Sequence, residues 1–96
     1  VAPTFLNSWV NFASGNQTAR YRKIGDVVNV EGLIKTGTIG SAAFNLPAGF
    51  RPTGNLHFAQ MSNGLLGYLI VNTTGDVTPT TGSNVYFALN CSFSTI

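Results

Sequence analysis

Asn84-Val85-Tyr86-Phe87-Ala88-Leu89-Asn90-Cys91-Ser92-Phe93-Ser94 alternates along its whole length. Val85, Phe87, Leu89, Cys91 and Phe93 fall on one face, and Tyr86, Ala88, Asn90, Ser92 and Ser94 fall on the other. Successive side chains of a β-strand point to opposite sides, so a period of two marks a strand with one face on a core. The stretch therefore reads as a strand, and Cys91 in its apolar row reads as a buried small hydrophobe. As the single cysteine of the chain it forms neither an internal disulfide nor a paired metal-binding motif.

The same period recurs upstream. Between Val27 and Thr36, Val28, Val30 and Ile34 share one face, while Asn29, Glu31 and Lys35 share the other with Val27 and Leu33. Gly32 interrupts this run and predicts a bulge or the close approach of another backbone. Ala19 to Ile24 alternates as well, and Gly25-Asp26 joins it to the Val27 run as a hairpin. Further strands are expected at Ser8–Phe12, Ala42–Leu46, Asn55–Ser62 and Leu65–Asn72. Asn63-Gly64 between the last two is a strong signal for a two-residue hairpin turn. Val77-Thr78-Pro79 is expected to be a short or edge strand, because proline cannot donate to a ladder. About eight strands, with turn signals every 8 to 12 residues or so and no helical periodicity, predict an all-β, jelly-roll-like antiparallel β-sandwich. Residues 1–7 read as a lead-in and residues 8–96 as one domain.

Two stretches carry more than strand pattern. In Leu65–Asn72 the apolar residues occupy both faces: Leu65, Leu69 and Val71 on one, Leu66, Tyr68 and Ile70 on the other. A strand apolar on both sides needs cover on both sides. Phe44-Asn45-Leu46-Pro47-Ala48-Gly49-Phe50-Arg51-Pro52 reads as a strand end followed by a stiff corner, since each proline fixes its own φ and biases the residue before it. Gly49 allows a positive φ in that corner.

Composition excludes several function classes. The chain has 96 residues, of which 44% are hydrophobic but only 8% are charged, against about 25% charged in soluble domains. Asn, Ser, Thr and Gly take the place of the missing charges, giving a polar, nearly uncharged surface suited to subunit contacts. The net charge of +2 comes from five cations against three anions. Four of those cations, Arg20, Arg22, Lys23 and Lys35, lie near Asp26 and Glu31 in sequence, and the Arg20, Arg22, Lys23 cluster reads as a solvated strand face paired with Asp26 or Glu31 rather than as an anion site. Nucleic-acid binding, which gains from a larger unbalanced patch, is not expected. No apolar run reaches the ~18 residues that suggest a membrane-spanning helix, so membrane insertion is not expected either. The start at Val1-Ala2-Pro3, without Met, suggests a fragment or a processed product.

Catalysis needs titratable groups that converge. One His, one Cys and three carboxylates are a thin supply. His57 and Cys91 both fall mid-strand, and alone they could complete a zinc site only across subunits. The chain is accordingly expected to be no enzyme and to use no cofactor. His57, Gln60, Asn63 and Tyr68, grouped on or near one expected hairpin, are candidate ligand contacts. The plainer reading of His57 is a half-exposed strand residue with a hydrogen-bond partner. Trp9 and Tyr86 suit a core or a subunit interface, since an amphipathic ring serves a wet interface as well as a sugar face. Arg51, the only charged residue between Lys35 and Asp76, is a candidate to close a subunit contact.

Trp9, the strand Val27-Val28-Asn29-Val30-Glu31-Gly32-Leu33-Ile34-Lys35 and the corner Leu46-Pro47-Ala48-Gly49-Phe50-Arg51-Pro52 together give a pattern that resembles the C-terminal domains of phage tail-fibre, baseplate and other minor structural proteins. Gly75-Asp76-Val77 and the final strand extend the resemblance over most of residues 8 to 94. It implies a trimeric β-domain of a virion, in the tail or baseplate and acting outside the cell. The expected function is a receptor-binding head that attaches to host cell-surface carbohydrate as a homotrimer, with host cell-wall saccharide and other tail or baseplate proteins as partners. A trimerisation or docking module that binds no sugar is the alternative. A trimer would also cover the second apolar face of Leu65–Asn72.

Overall fold

Eight expected runs become ten strands because two of them bend. The computed structural model describes residues 1–96, and it contains strands but no helix. The run from Val27 divides at Gly32 into β3 (Val27–Glu31) and β4 (Leu33–Lys35), and the final run divides into β9 (Phe87–Ala88) and β10 (Cys91–Ser94). The remaining strands are β1 (Val10–Asn11), β2 (Arg20–Ile24), β5 (Phe44–Asn45), β6 (Leu56–Ser62), β7 (Leu65–Val71) and β8 (Asp76–Thr81).

The two bends face each other. Val30 pairs with Cys91 in one sheet, and Leu33 with Ala88 in the next, in a single antiparallel register that carries through the break. Across it the Leu89 N–H donates to the Gly32 carbonyl at 2.9 Å. The Gly32 N–H turns instead to the Asn90 Oδ1 at 3.3 Å. One bent ribbon therefore supplies the centre of two three-stranded sheets, ordered β1-β4-β9 and β10-β3-β2. Gly32, at φ +139°, is the pivot, and a Cβ there would lie 2.6 Å from the Ala19 Cα. The close backbone approach expected of this glycine is the one found.

The third sheet, β5-β8-β7-β6, forms the opposite layer. Val28, Val30, Tyr21 and Phe93 meet Phe44, Leu69, Val71 and Val77 between the layers, and Trp9, Ile34, Phe87 and Leu89 continue the same core. Each such side chain, fully buried, contributes about 1.5–3 kcal/mol. Trp9 packs edge-on against Phe87 at 6.5 Å between ring centroids, and Tyr21 stacks on Phe44 at 6.1 Å. Every buried side-chain nitrogen or oxygen has a hydrogen-bond partner, as a well-formed interior requires. The all-β, antiparallel sandwich is thus as expected.

The turns follow their chemistry. Asn63 and Gly64 both have positive φ, at 50° and 75°, and join Ser62 directly to Leu65. That is the twist-matched two-residue hairpin loop. In the corner after β5, the Phe50 N–H donates to the Pro47 carbonyl at 3.0 Å, with Gly49 at φ 91°. The lead-in is docked: Val1 exchanges backbone hydrogen bonds with Tyr21 at 2.8 and 2.9 Å, and Phe5 packs against Phe44.

The reading of Val77-Thr78-Pro79 as a short or edge strand is corrected. β8 has six residues and lies between β5 and β7. It tolerates Pro79 because the carbonyls of Val77 and Pro79 point away from β7, accepting from Ala43 at 2.8 Å and Gly40 at 2.7 Å. A residue's N–H and C=O lie on the same side of a strand. The missing N–H therefore faces the stretch beyond the end of β5, and no bond to β7 is lost.

Candidate functional site

The outer face of the β6-β7 hairpin is where an apolar surface stands open. Along it His57 pairs with Ile70, Ala59 with Tyr68 and Met61 with Leu66. Met61, Leu66 and Tyr68 are 56%, 59% and 49% exposed. On the other side of the same hairpin, Leu69 and Val71 are buried. The two-sided character of this strand is therefore real, and only one side is covered within the chain. Leu65, grouped with Leu69 by period, is 70% exposed where it leaves the hairpin turn.

The sequence-derived ligand residues divide between the two faces. His57 and Tyr68 are exposed on the outer face, and Asn63 is exposed at the hairpin tip. Gln60 is buried on the inner face, where its Nε2 donates to the Asn90 carbonyl at 2.9 Å. The hairpin thus brings two of the four to one face, with Asn63 at its tip. Of the residues expected at a subunit contact, Trp9 is inside the core at 1% exposure, its indole N–H donating to the Ser41 carbonyl at 3.3 Å. Arg51 is half-buried and bound within its own chain, donating to the Leu46 carbonyl at 2.9 Å and to Asn45 Oδ1 at 3.2 Å. The Tyr86 hydroxyl accepts from the Gly64 N–H at 2.7 Å, so its half-buried ring braces the hairpin tip.

A second surface carries Arg20 and Arg22 of the cluster expected to be a solvated strand face. The outer face of β2-β3-β10 carries two adjoining depressions of about 230 and 430 Å³ that share Arg22, Asn29 and Glu31. Register builds them, because Asn29 pairs with Arg22 on one side and Ser92 on the other, and Arg20 pairs with Glu31 in the next row. The alternation in each strand marks these residues as outward-facing. Which of them stand side by side depends on long-range pairing, which no local signal carries.

Nothing in either surface assembles a nucleophile or a metal site. No three of the His, Cys, Asp and Glu residues come together. Burial pushes the Cys91 thiol up to about 12. It is therefore protonated at neutral pH, and the thiolate is the reactive form. No helix is long and apolar enough to cross a membrane.

These features define an antiparallel β-sandwich with one open apolar face and one polar, shallowly concave face. No protein-family profile matches the sequence, and no curated protein is similar to it in sequence. A solved structure of the same fold is the receptor binding protein (gp15) of Listeria phage PSA, with a TM-score of 0.78 at 21% sequence identity. The similarity covers 100% of this chain and 64% of that protein, so the present chain spans a little under two thirds of its length.

Proposed function

We propose that this chain is the receptor-binding head of a phage tail fibre or baseplate, a homotrimer that attaches to carbohydrate on the host cell surface and performs no chemistry on it. The observation that carries the reading is the similarity of fold along the entire chain to a phage receptor-binding protein. The open apolar face of β6-β7 supports the trimer, since apolar surface of this kind marks contact sites. Attachment needs no cofactor, and the polar, Asn-, Ser- and Thr-rich surface suits a hydroxyl-rich partner. His57, Asn63 and Tyr68 border the proposed subunit contact, where a saccharide would meet a phenol ring, an imidazole and one amide. The module works in the virion, outside the cell.

Binding of the fluorescently labelled domain to a panel of bacterial cells, beginning with Listeria, tests this. Adhesion to one group of strains, lost when surface polysaccharide is stripped, is the expected result. The same apolar face also fits a docking contact with another tail protein. A domain that binds no cell but holds a neighbouring protein when pulled from disrupted virions would establish that second reading.

A further inference from the structure

Four of the five cations are engaged within the chain. Arg20 pairs with Glu31 at 2.5 Å. Lys23 donates to the Gly49 carbonyl at 2.6 Å and lies over Phe50, Lys35 lies over Phe12, and Arg51 is bound in its corner. Arg22 alone makes no hydrogen bond, ion pair or aromatic contact, and it lines both depressions on the β2-β3-β10 face. Its row neighbours are equally unspent. The side chains of Asn29 and Ser92 form no hydrogen bond within the chain.

We infer that the outer face of β2-β3-β10 is a binding site for a saccharide or polyol carrying a phosphate or carboxylate group, with Arg22 holding the anion and Asn29, Asn90 and Ser92 holding hydroxyls. The inference rests on the receptor-binding reading and names the ligand chemistry within it. The guanidinium presents a planar fork of donors that matches phosphate and carboxylate oxygens. Amides and a hydroxyl both donate and accept, which is what a chain of hydroxyl groups requires. The larger depression, about 430 Å³, falls in the range of about 300–1,000 Å³ that small-ligand sites occupy. Those sites are mostly apolar, whereas this one is lined chiefly by polar side chains, which favours a hydroxyl-rich occupant.

Charge and rigidity agree. Glu31 would repel an anion, but Arg20 meets its carboxylate, so the trio of Arg20, Arg22 and Glu31 leaves one positive charge, at Arg22. Asn90 is fixed from two directions. Its Oδ1 accepts from the Gly32 N–H and its carbonyl accepts from Gln60, which leaves its amide N–H₂ group for a ligand. Gln60 is thus a positioning residue for this face, acting from inside the sandwich.

Chemical-shift mapping of the ¹⁵N-labelled domain tests the site, with glucose 1-phosphate, glucuronate and glucose as probes. One or both charged probes should give saturable shifts at Arg22, Asn29 and Ser92, with glucose binding at least tenfold more weakly. Whether the phosphate or the carboxylate probe binds more tightly identifies the anion. Arg22→Gln should weaken the charged probe at least tenfold while leaving the thermal unfolding midpoint in place, since the side chain is exposed. Equal binding by Arg22→Gln, shifts confined to β6-β7, or no saturable shift with either charged probe would overturn the site. Cell adhesion separates this from the broader reading. A wild-type domain that binds no cells defeats the receptor-binding function, whereas adhesion unchanged by Arg22→Gln defeats only this site.

Discussion

Gly32 and Ala19 meet backbone to backbone. A Cβ on Gly32 would stand 2.6 Å from the Ala19 Cα and 2.8 Å from its nitrogen, and the φ of +139° is one that side-chain-bearing residues rarely adopt. Both atoms belong to main chain, so neither can swing aside. Gly32→Ala should therefore cost about 3 kcal/mol, combining backbone strain with displacement of the segment before β2. Gly54→Ala, where no atom lies within 4 Å and φ is ordinary, serves as the control and should stay within about 0.5 kcal/mol of wild type. Urea denaturation measures both, and a Gly32→Ala loss no larger than the control would show that the ribbon bends elsewhere.

Ser62 ties the loop before β9 to the β6-β7 hairpin. Its buried hydroxyl accepts from the Ser83 N–H at 2.8 Å and lies 3.0 Å from the carbonyls of both Ser83 and Tyr86, which share its single proton. Ser62→Ala removes the acceptor and leaves that N–H part-buried without a partner, at about 1–3 kcal/mol. For a domain of this size a loss of 1 kcal/mol lowers the midpoint by roughly 4–8 °C. Calorimetry should show a fall of at least that size, and an unchanged midpoint would mean that water replaces the hydroxyl.

What the sequence discloses here is local, and what it conceals is pairing. Asn63-Gly64 announces its turn because both positions need positive φ, and Val28, Val30 and Ile34 announce the core by period alone. The corner at Pro47–Phe50 is legible for the same reason. Pro79 misleads because its cost depends on which side of β8 its missing N–H faces, and that is set by where β5 ends. The break at Gly32 is visible, but its counterpart at Leu89-Asn90 is hidden inside an uninterrupted alternation. His57 and Tyr68 share a face through the β6-β7 register, but a strand apolar on both sides does not say which face is the outer one. Arg22, Asn29 and Ser92 become neighbours only through the register of three strands drawn from distant parts of the chain.

Cys91 gives the fold a pH dependence of known sign. Desolvation raises its thiol from an ordinary value of 9.0 to about 12 in the folded chain. The folded state therefore keeps its proton where the unfolded state has lost it. Stability from this group is complete below pH 9 and declines as pH rises toward 12, because the unfolded state binds fewer protons in that window. Tyrosines and lysines titrate there too, so the comparison is with Cys91→Ala, whose decline between pH 8 and pH 10.5 or so should be shallower. The native thiol should also react with a disulfide reagent at pH 8 at least about tenfold more slowly than the unfolded thiol. Cys91 is half-buried at the edge of the core, so equal rates would show that its open side suffices for attack and that desolvation does not govern the thiol.

Leu66 and Met61 face each other across the hairpin and both point outward. Placing a charge there tests the trimer without touching the core. If this face is the subunit contact, the substitution buries an unpaired charge in a dehydrated contact, which is strongly unfavourable. Leu66→Lys should convert a trimer to a monomer at micromolar concentration by sedimentation velocity. Its unfolding free energy from urea denaturation, at a concentration where wild type is already monomeric, should change by less than about 0.5 kcal/mol, because the side chain is exposed in the single chain. Tyr86→Phe provides the contrast: it removes the acceptor for the Gly64 N–H and loosens the hairpin tip, yet leaves the apolar face intact, so the trimer should persist. A wild-type domain that sediments as a stable monomer, or a Leu66→Lys variant that remains trimeric, would exclude the β6-β7 face as the contact. In the second case the assembly would have to form through a different surface.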